Sequence, residues 1–287
     1  MGSGKTSYAI QKMNEDNENN YIYITPFLSE IQRIKDSCKT RKFYEPKQMG
    51  KGKQDSLHRL IMQNKNIAST HALFQMSTEV TVDLIKANDY ILILDEVMNV
   101  LKGVDLKKDD LSSLLTLELI IIDEKGIVVW NKEKLDYEGE YDYIKDMALQ
   151  NTLFYVNNKL FMWTFPTSVF QAFKEVYVMT YMFDSQIQRY YYDLHDLKYE
   201  YYYVVNENEK YILKFKGTDY KENRETFKKL INILIDDKIN NIGDGDYTLS
   251  YNWFNGTKKK VELLKQLKLN IYNYFKRKIE GNSKDNM

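Results

Sequence analysis

Apolar positions along the chain switch repeatedly between helical and extended spacing. Tyr8, Ala9, Ile10 and Met13 share one face of a helix predicted over residues 6–13. A polar loop over 14–20 separates it from the apolar strand Tyr21-Ile22-Tyr23-Ile24, which closes at Thr25-Pro26. Helical spacing returns over 27–36, 56–64 and 79–87, with a short strand at 67–70 between the last two. Residues 90–94 form an uninterrupted apolar run, the kind of strand buried on both faces of a parallel sheet. A helix over 168–173 and a buried strand over 176–180 repeat the unit. Such alternation predicts an α/β fold with helices on a parallel sheet.

The rhythm breaks over residues 102–150, which read as an insertion. They hold a helical run at 111–118 and a hairpin at 119–130 turning at Glu124-Lys125-Gly126, ahead of strand-like segments at 153–157 and 159–165 around Asn157-Asn158. From residue 190 a second α/β domain is expected to begin and to run to 287 without completing itself. It comprises a hairpin of 199–205 and 210–216, an amphipathic helix over 220–239, a turn at Gly243-Asp244-Gly245-Asp246, a short strand over 248–251 and a lysine-rich helix over 261–278.

Composition narrows the class. Lys+Arg and Asp+Glu are each 41, so whole-chain charge neither advertises nor excludes a nucleic-acid partner. A basic loop at 39–56, with Lys47, Lys51 and Lys53, is read first as a solvated loop and second as a backbone contact to nucleic acid. The single cysteine, Cys38, allows no internal disulfide and no zinc pattern. With no apolar run of membrane-spanning length, the expectation is a soluble cytoplasmic protein without a membrane partner. Three prolines, 24 tyrosines and abundant Asn, Lys and Ile suggest an AT-rich coding source such as a phage or a low-GC bacterium.

Two short stretches carry candidate chemistry. Gly2, Ser3, Gly4, Lys5 and Thr6 read as the second half of a phosphate-binding loop, in which backbone N–H groups cradle phosphates, the lysine reaches the β/γ-phosphates and the threonine hydroxyl holds Mg²⁺. Helix 6–13 then begins at the loop and turns the positive end of its dipole toward the anion. The first glycine of that pattern and its delivering strand would precede Met1, so the expectation is a fragment, a misplaced start, or a coincidental glycine-lysine run. Asp95-Glu96 end the apolar strand and emerge at its carboxyl edge, where open α/β sheets bind ligands. Asp95 is suited to hold Mg²⁺ and Glu96 to orient or deprotonate an attacking water. The structural alternative is that the two acids merely cap a strand and start a helix at Val97.

Together these pieces resemble the first motor domain of a superfamily 2, DEAD-like helicase of phage or mobile-element type. Gly2-Ser3-Gly4-Lys5-Thr6 resembles its first motif, and Ile24-Thr25-Pro26-Phe27-Leu28 with Glu30 and Arg33 the next. Ser69-Thr70-His71-Ala72-Leu73-Phe74 resembles a DNA-facing motif, Leu94-Asp95-Glu96-Val97 the acidic box, and Met179-Thr180-Tyr181-Met182-Phe183 the third motif. The resemblance covers about residues 2–190. It implies a RecA-like P-loop NTPase domain over 1–189 lacking its first strand, ATP and Mg as cofactors, and catalysis by Glu96. It also implies a DNA strand, single or double, or RNA, along Thr25, Pro26, Thr70 and His71, with partner proteins of a phage replication complex. The acidic box departs from the family in reading Asp-Glu-Val-Met, and no arginine-finger motif follows, so the chain as written is expected to be a poor ATPase and an incompetent translocase. The alternatives are a non-catalytic nucleic-acid or protein binding module on a degenerate P-loop fold, and a P-loop nucleotide kinase. Tyrosine runs such as Tyr190-Tyr191-Tyr192 could stack bases, but strand and core packing is the simpler role.

Overall fold

Alternating hydrophobic segments too short to span a domain alone must bury their faces against each other, and here they do so as a layered α/β unit. The computed structural model describes residues 4–48, 52–157, 159–217, 225–229, 231, 242, 247–255 and 261–281. The chain divides into two units, Met1–Asp219 and Tyr220–Met287. The first begins with α1 (Lys5–Glu15), β1 (Tyr21–Thr25), α2 (Leu28–Ser37), β2 (Phe43–Tyr44), α3 (Lys53–Met62), β3 (Asn66–Thr70), α4 (His71–Phe74), α5 (Glu79–Lys86) and β4 (Ile91–Asp95). A module then follows of β5 (Leu101–Val104), α6 (Lys108–Thr116), β6 (Ile120–Ile122), β7 (Val128–Trp130), α7 (Asp142–Leu149), β8 (Leu153–Val156) and β9 (Leu160–Thr164). The chain returns through α8 (Thr167–Gln171), β10 (Glu175–Met179) and α9 (Ile187–Leu194) to the hairpin β11 (Tyr202–Glu207) and β12 (Lys210–Phe215).

The main sheet has five strands in the order β10-β4-β1-β3-β2, all parallel. Side chains alternate across it. Tyr21, Tyr23, Ala68, Ile91, Ile93 and Met179 join Ala9 and Met13 of α1 and Ile31 and Ile34 of α2 in one buried layer. Ile22, Ile24, Ile67, Leu92 and Leu94 face the opposite layer with Leu57, Ile61, Val82, Ile85, Val169, Phe170 and Tyr191. Both faces are therefore covered, which is why β1 and β4 read as continuous apolar runs. Each isoleucine fully buried in them stabilises the fold by roughly 1.5–3 kcal/mol.

The inserted module has its own core, built on Leu114, Leu119, Ile120, Val128, Trp130, Ile144, Leu153 and Phe161. Its hairpin turns at Gly126, in the left-handed conformation at φ 81, as Glu124-Lys125-Gly126 predicts. Strand β5 pairs antiparallel with β9 and ties the module back to the return segment.

Several elements differ from the pattern read in the sequence. Residues 39–56 contain the short edge strand β2 and the start of α3, while Lys51 lies outside the described residues, as does Asn158 of the predicted turn. Helices α7 and α9 occupy stretches rich in tyrosine, whose β preference is overridden by packing. Tyr191 and Tyr192 are buried against Phe170, and the Tyr191 hydroxyl donates to the Phe165 carbonyl at 2.6 Å.

In the second unit, the strand expected over 248–251 is instead a turn running into α11 (Tyr251–Asn255), which among the described residues comes next after the short helix α10 (Glu225–Lys228). Ser250 Oγ accepts from the Trp253 N–H at 3.2 Å, a helix-start bond that outcompetes an extended conformation. The helix expected over 261–278 forms as α12 (Val261–Asn273) with a wider final turn through Lys278. Most of the helix expected over 220–239, and the turn at Gly243-Asp244-Gly245-Asp246, lie outside the described residues. Among the described residues no helix is long and apolar enough to cross a membrane.

The entry into β1 is fixed by Asp16. Its carboxylate accepts from the Tyr21 hydroxyl at 2.5 Å, the Asn19 side-chain amide at 2.8 Å, and the Glu18 and Asn19 backbone N–H groups at 2.8 and 3.1 Å. Partial burial pushes this carboxyl up, but the bonds from Tyr21, Asn19 and Glu18 outweigh it and hold it well below the usual carboxylate range. A depressed folded-state value means stability that is present above the unfolded pKa of about 3.9 and lost as pH falls through the lower folded one. Asp16→Ala should therefore cost about 1–2 kcal/mol at neutral pH. In denaturant titrations its deficit relative to the parent chain should shrink once the pH drops below about 4.

Candidate functional site

Because β1 to β4 and β10 are parallel, their carboxyl ends lie on one edge of the sheet, and the register aligns them residue by residue. Thr25 lies opposite Thr70, and Met179 opposite Asp95. Helix α1 packs on this sheet and leads through residues 16–20 into the start of β1, so its C-terminus is at the amino edge and its N-terminus at the carboxyl edge. Lys12, in its last turn, accordingly lies 4.0 Å from Glu175 at the start of β10.

Strand parity then decides which way Asp95 points. Ile91 and Ile93 face the layer of α1 and α2, so Asp95, two residues further, faces that layer too. Its neighbours are Tyr23 of β1 and the Glu30–Arg33 pair on the first turns of α2, in which the guanidinium donates to the Glu30 carboxylate at 2.6 and 2.8 Å. Burial raises the Asp95 carboxyl above its ordinary value. Tyr23 and Arg33 oppose that shift, and the nearby Glu30 and Glu96 add to it. Arg33 compensates only part of the charge of this carboxylate beside other acids, and a cation at the edge would add to it.

Glu96 takes the left-handed conformation, with φ 63, costing roughly 1–3 kcal/mol in a residue other than glycine. That turn leaves its side chain exposed at the edge. Its N–H donates to the Met179 carbonyl at 3.1 Å, and its carboxylate accepts from the Thr180 hydroxyl at 2.9 Å. No helix starts at Val97. The chain continues to β5 without regular structure, with the Met98 N–H donating to the buried Gln188 of α9 at 2.9 Å.

The other residues singled out from sequence occupy the same edge in different ways. Gly2 and Ser3 lie outside the described residues. Gly4 is the N-cap of α1 in the left-handed conformation at φ 77, and Lys5 and Thr6 are in its first turn. Among the described residues no side chain caps that helix end. Thr25 is fully buried, whereas Pro26, Phe27 and Leu28 project to solvent. Thr70 caps α4, accepting from the Leu73 N–H at 3.5 Å. His71 bonds through Nε2 to the Asp95 carbonyl at 3.1 Å, and a carbonyl partner makes that nitrogen the donor. Burial lowers the His71 pKa, in keeping with a neutral ring.

The hard oxygen donors present, a half-buried carboxylate and a first-turn threonine, fit Mg²⁺ carried in with a phosphate ligand. Among the described residues no group of three or more His, Cys, Asp or Glu is placed to hold a metal by itself.

Two neighbours of the site carry no motif. Tyr23 is placed by cross-strand register, which a sequence does not display; only its parity with Asp95 is a signal. Tyr211 of β12 comes from residues far along the chain. Gln11 of α1 grips its backbone, donating to the Tyr211 carbonyl at 3.2 Å and accepting from its N–H at 2.9 Å. The Tyr211 ring consequently lies against Gly4, where an added methyl would sit 2.6 Å from a ring carbon.

Comparisons with known proteins match residues 101–163 to the YonV middle domain and residues 225–287 to the YonV C-terminal Rossmann-like domain. The first match coincides with the inserted module. The chain is 43% identical over 299 residues to the SPbeta prophage-derived uncharacterized protein YonV of Bacillus subtilis (strain 168), covering 100% of this chain and 72% of that protein. No solved structure matches.

Gly4 is thus required twice, by backbone conformation and by the Tyr211 ring. Gly4→Ala should lower stability by about 1–3 kcal/mol in denaturant titrations. Adding Tyr211→Ala should remove the steric share and leave a further penalty, measured against Tyr211→Ala alone, of about 1 kcal/mol from the backbone.

Proposed function

The chain belongs to the YonV family, and we propose that its first unit is a nucleotide-hydrolysing motor domain of helicase type, a P-loop NTPase acting on nucleic acid in the phage setting of its prophage relative. One observation carries the reading. Asp95 faces the layer of α1 at the edge where the uncapped N-terminus of α1 lies, and Glu96 is held exposed beside it by Thr180 and Met179.

In this reading Lys5 and the first-turn N–H groups of α1 receive the β- and γ-phosphates of ATP. Thr6 and Asp95 hold the Mg²⁺ that neutralises charge on those phosphates when bound. A water attacks the γ-phosphorus, the bond to the bridging oxygen breaks, and ADP leaves with phosphate. Glu96 orients that water and takes its proton. Thr180 occupies one carboxylate oxygen and leaves the other for the water. Nucleic acid follows the exposed Pro26 to Leu28 turn and the β3–α4 corner. There Thr25 contributes backbone, and Thr70 and His71 shape the loop and link it to Asp95.

A second reading, a non-catalytic binding module on the same fold, is favoured by the Tyr211 ring lying on Gly4, which crowds the loop that has to wrap phosphate.

ATP hydrolysis with and without single-stranded DNA, on this chain and on one extended upstream in its gene, separates the two. The motor reading expects DNA-stimulated turnover reduced at least about 100-fold by Glu96→Gln and by Lys5→Ala. DNA binding without nucleotide binding, even in the extended chain, would establish the module instead.

A further inference from the structure

Tyr23 stands in the middle of β1 with none of its surface exposed, yet among the described residues its hydroxyl has no hydrogen-bond partner. Leaving a buried hydroxyl unpaired costs roughly 1–3 kcal/mol. A phenylalanine would fill the same volume between α1, α2 and the sheet without that cost.

The geometry gives the hydroxyl a direction. Tyr23 lies opposite Ile93 on β4. Asp95 is two residues further along the same face, a rise of roughly 6.6 Å, about the reach of a tyrosine side chain. The phenol therefore ends beside the Asp95 carboxyl, close enough to act on it as a hydrogen-bond donor and hold it down against burial, although the pair falls short of ordinary hydrogen-bond geometry. Both groups lie in the layer of α1, whose uncapped N-terminus shares the carboxyl edge.

We propose that Tyr23 is a positioning residue for Asp95, its hydroxyl donating to one carboxylate oxygen so that the other is presented to a divalent cation arriving with nucleotide. The proposal rests on the nucleotide-site reading above. It accounts for an unpaired hydroxyl in an otherwise apolar layer, because the bond closes when the carboxylate turns toward the cation. A donor to the ligating carboxylate also fixes its orientation, as partners of metal ligands commonly do.

The test uses Mn²⁺ as the probe, with ADP present, and follows binding by electron paramagnetic resonance in the full chain and in Tyr23→Phe and Asp95→Asn. Thermal unfolding without metal or nucleotide is measured alongside. The expected result is Mn²⁺ affinity weakened about tenfold in Tyr23→Phe and abolished in Asp95→Asn. The metal-free melting temperature of Tyr23→Phe should be unchanged or raised, since the hydroxyl it loses is unpaired. If Asp95→Asn abolishes binding while Tyr23→Phe binds like the parent chain, the role of Tyr23 is overturned and the nucleotide site stands. If the parent chain and Asp95→Asn bind Mn²⁺ equally, or neither binds it, the nucleotide-site reading falls and the proposal with it. A lower metal-free melting temperature in Tyr23→Phe with unchanged Mn²⁺ affinity would mark the hydroxyl as structural.

Discussion

Burial of the parallel sheet on both faces is the constraint from which the rest follows. With α1 and α2 on one side and α3, α5, α8 and α9 on the other, strands β1 and β4 keep almost no polar side chain until their last residues. Thr25, Thr70, Asp95 and Thr180 are where the covered layer ends, and parallel pairing brings those endings to one edge. Polar chemistry is confined there because the interior cannot solvate it. The left-handed turn at Glu96 and the Thr180 bond then expose one carboxylate, while Asp95 stays in the layer beside Tyr23.

Between β4 and the return of β10 to the sheet, residues 101–164 close a separate core around Trp130 and Leu153. The return is held by Met98 on Gln188 and by the aromatic layer of Phe165, Phe170 and Tyr191. In the run Tyr190-Tyr191-Tyr192 the last two are used as such packing while Tyr190 is exposed, and the Tyr201 hydroxyl is paired to Asp184 at 2.6 Å.

Much of this was legible in sequence where one face decides one pattern. The run ending in Asp95-Glu96, the helix after Gly4 and the Gly126 hairpin could be read because local spacing and turn chemistry determine them. What could not be read depends on register and on distant pairing. No spacing rule places Tyr23 beside Asp95, Tyr211 on Gly4, or β5 against β9. Helix α9 was hidden because its tyrosines prefer strands and only their burial under Phe170 makes the helix favourable. The short strand expected at 248–251 failed for the converse reason, a serine cap outweighing a β-like run.

In the function proposed above, the first turn of α1 and the Asp95-Glu96 corner form one ligand site. Hydrogen exchange of the full chain with and without Mg²⁺ and a slowly hydrolysed ATP analogue tests it most directly, because the first-turn amides of a helix have no intrahelical acceptor and exchange fast when unbound. Exchange is expected to slow together at residues 4–7 and 94–97 and to stay unchanged in the inserted module. Unaltered exchange at both segments at saturating analogue, or protection confined to another part of the chain, would contradict it.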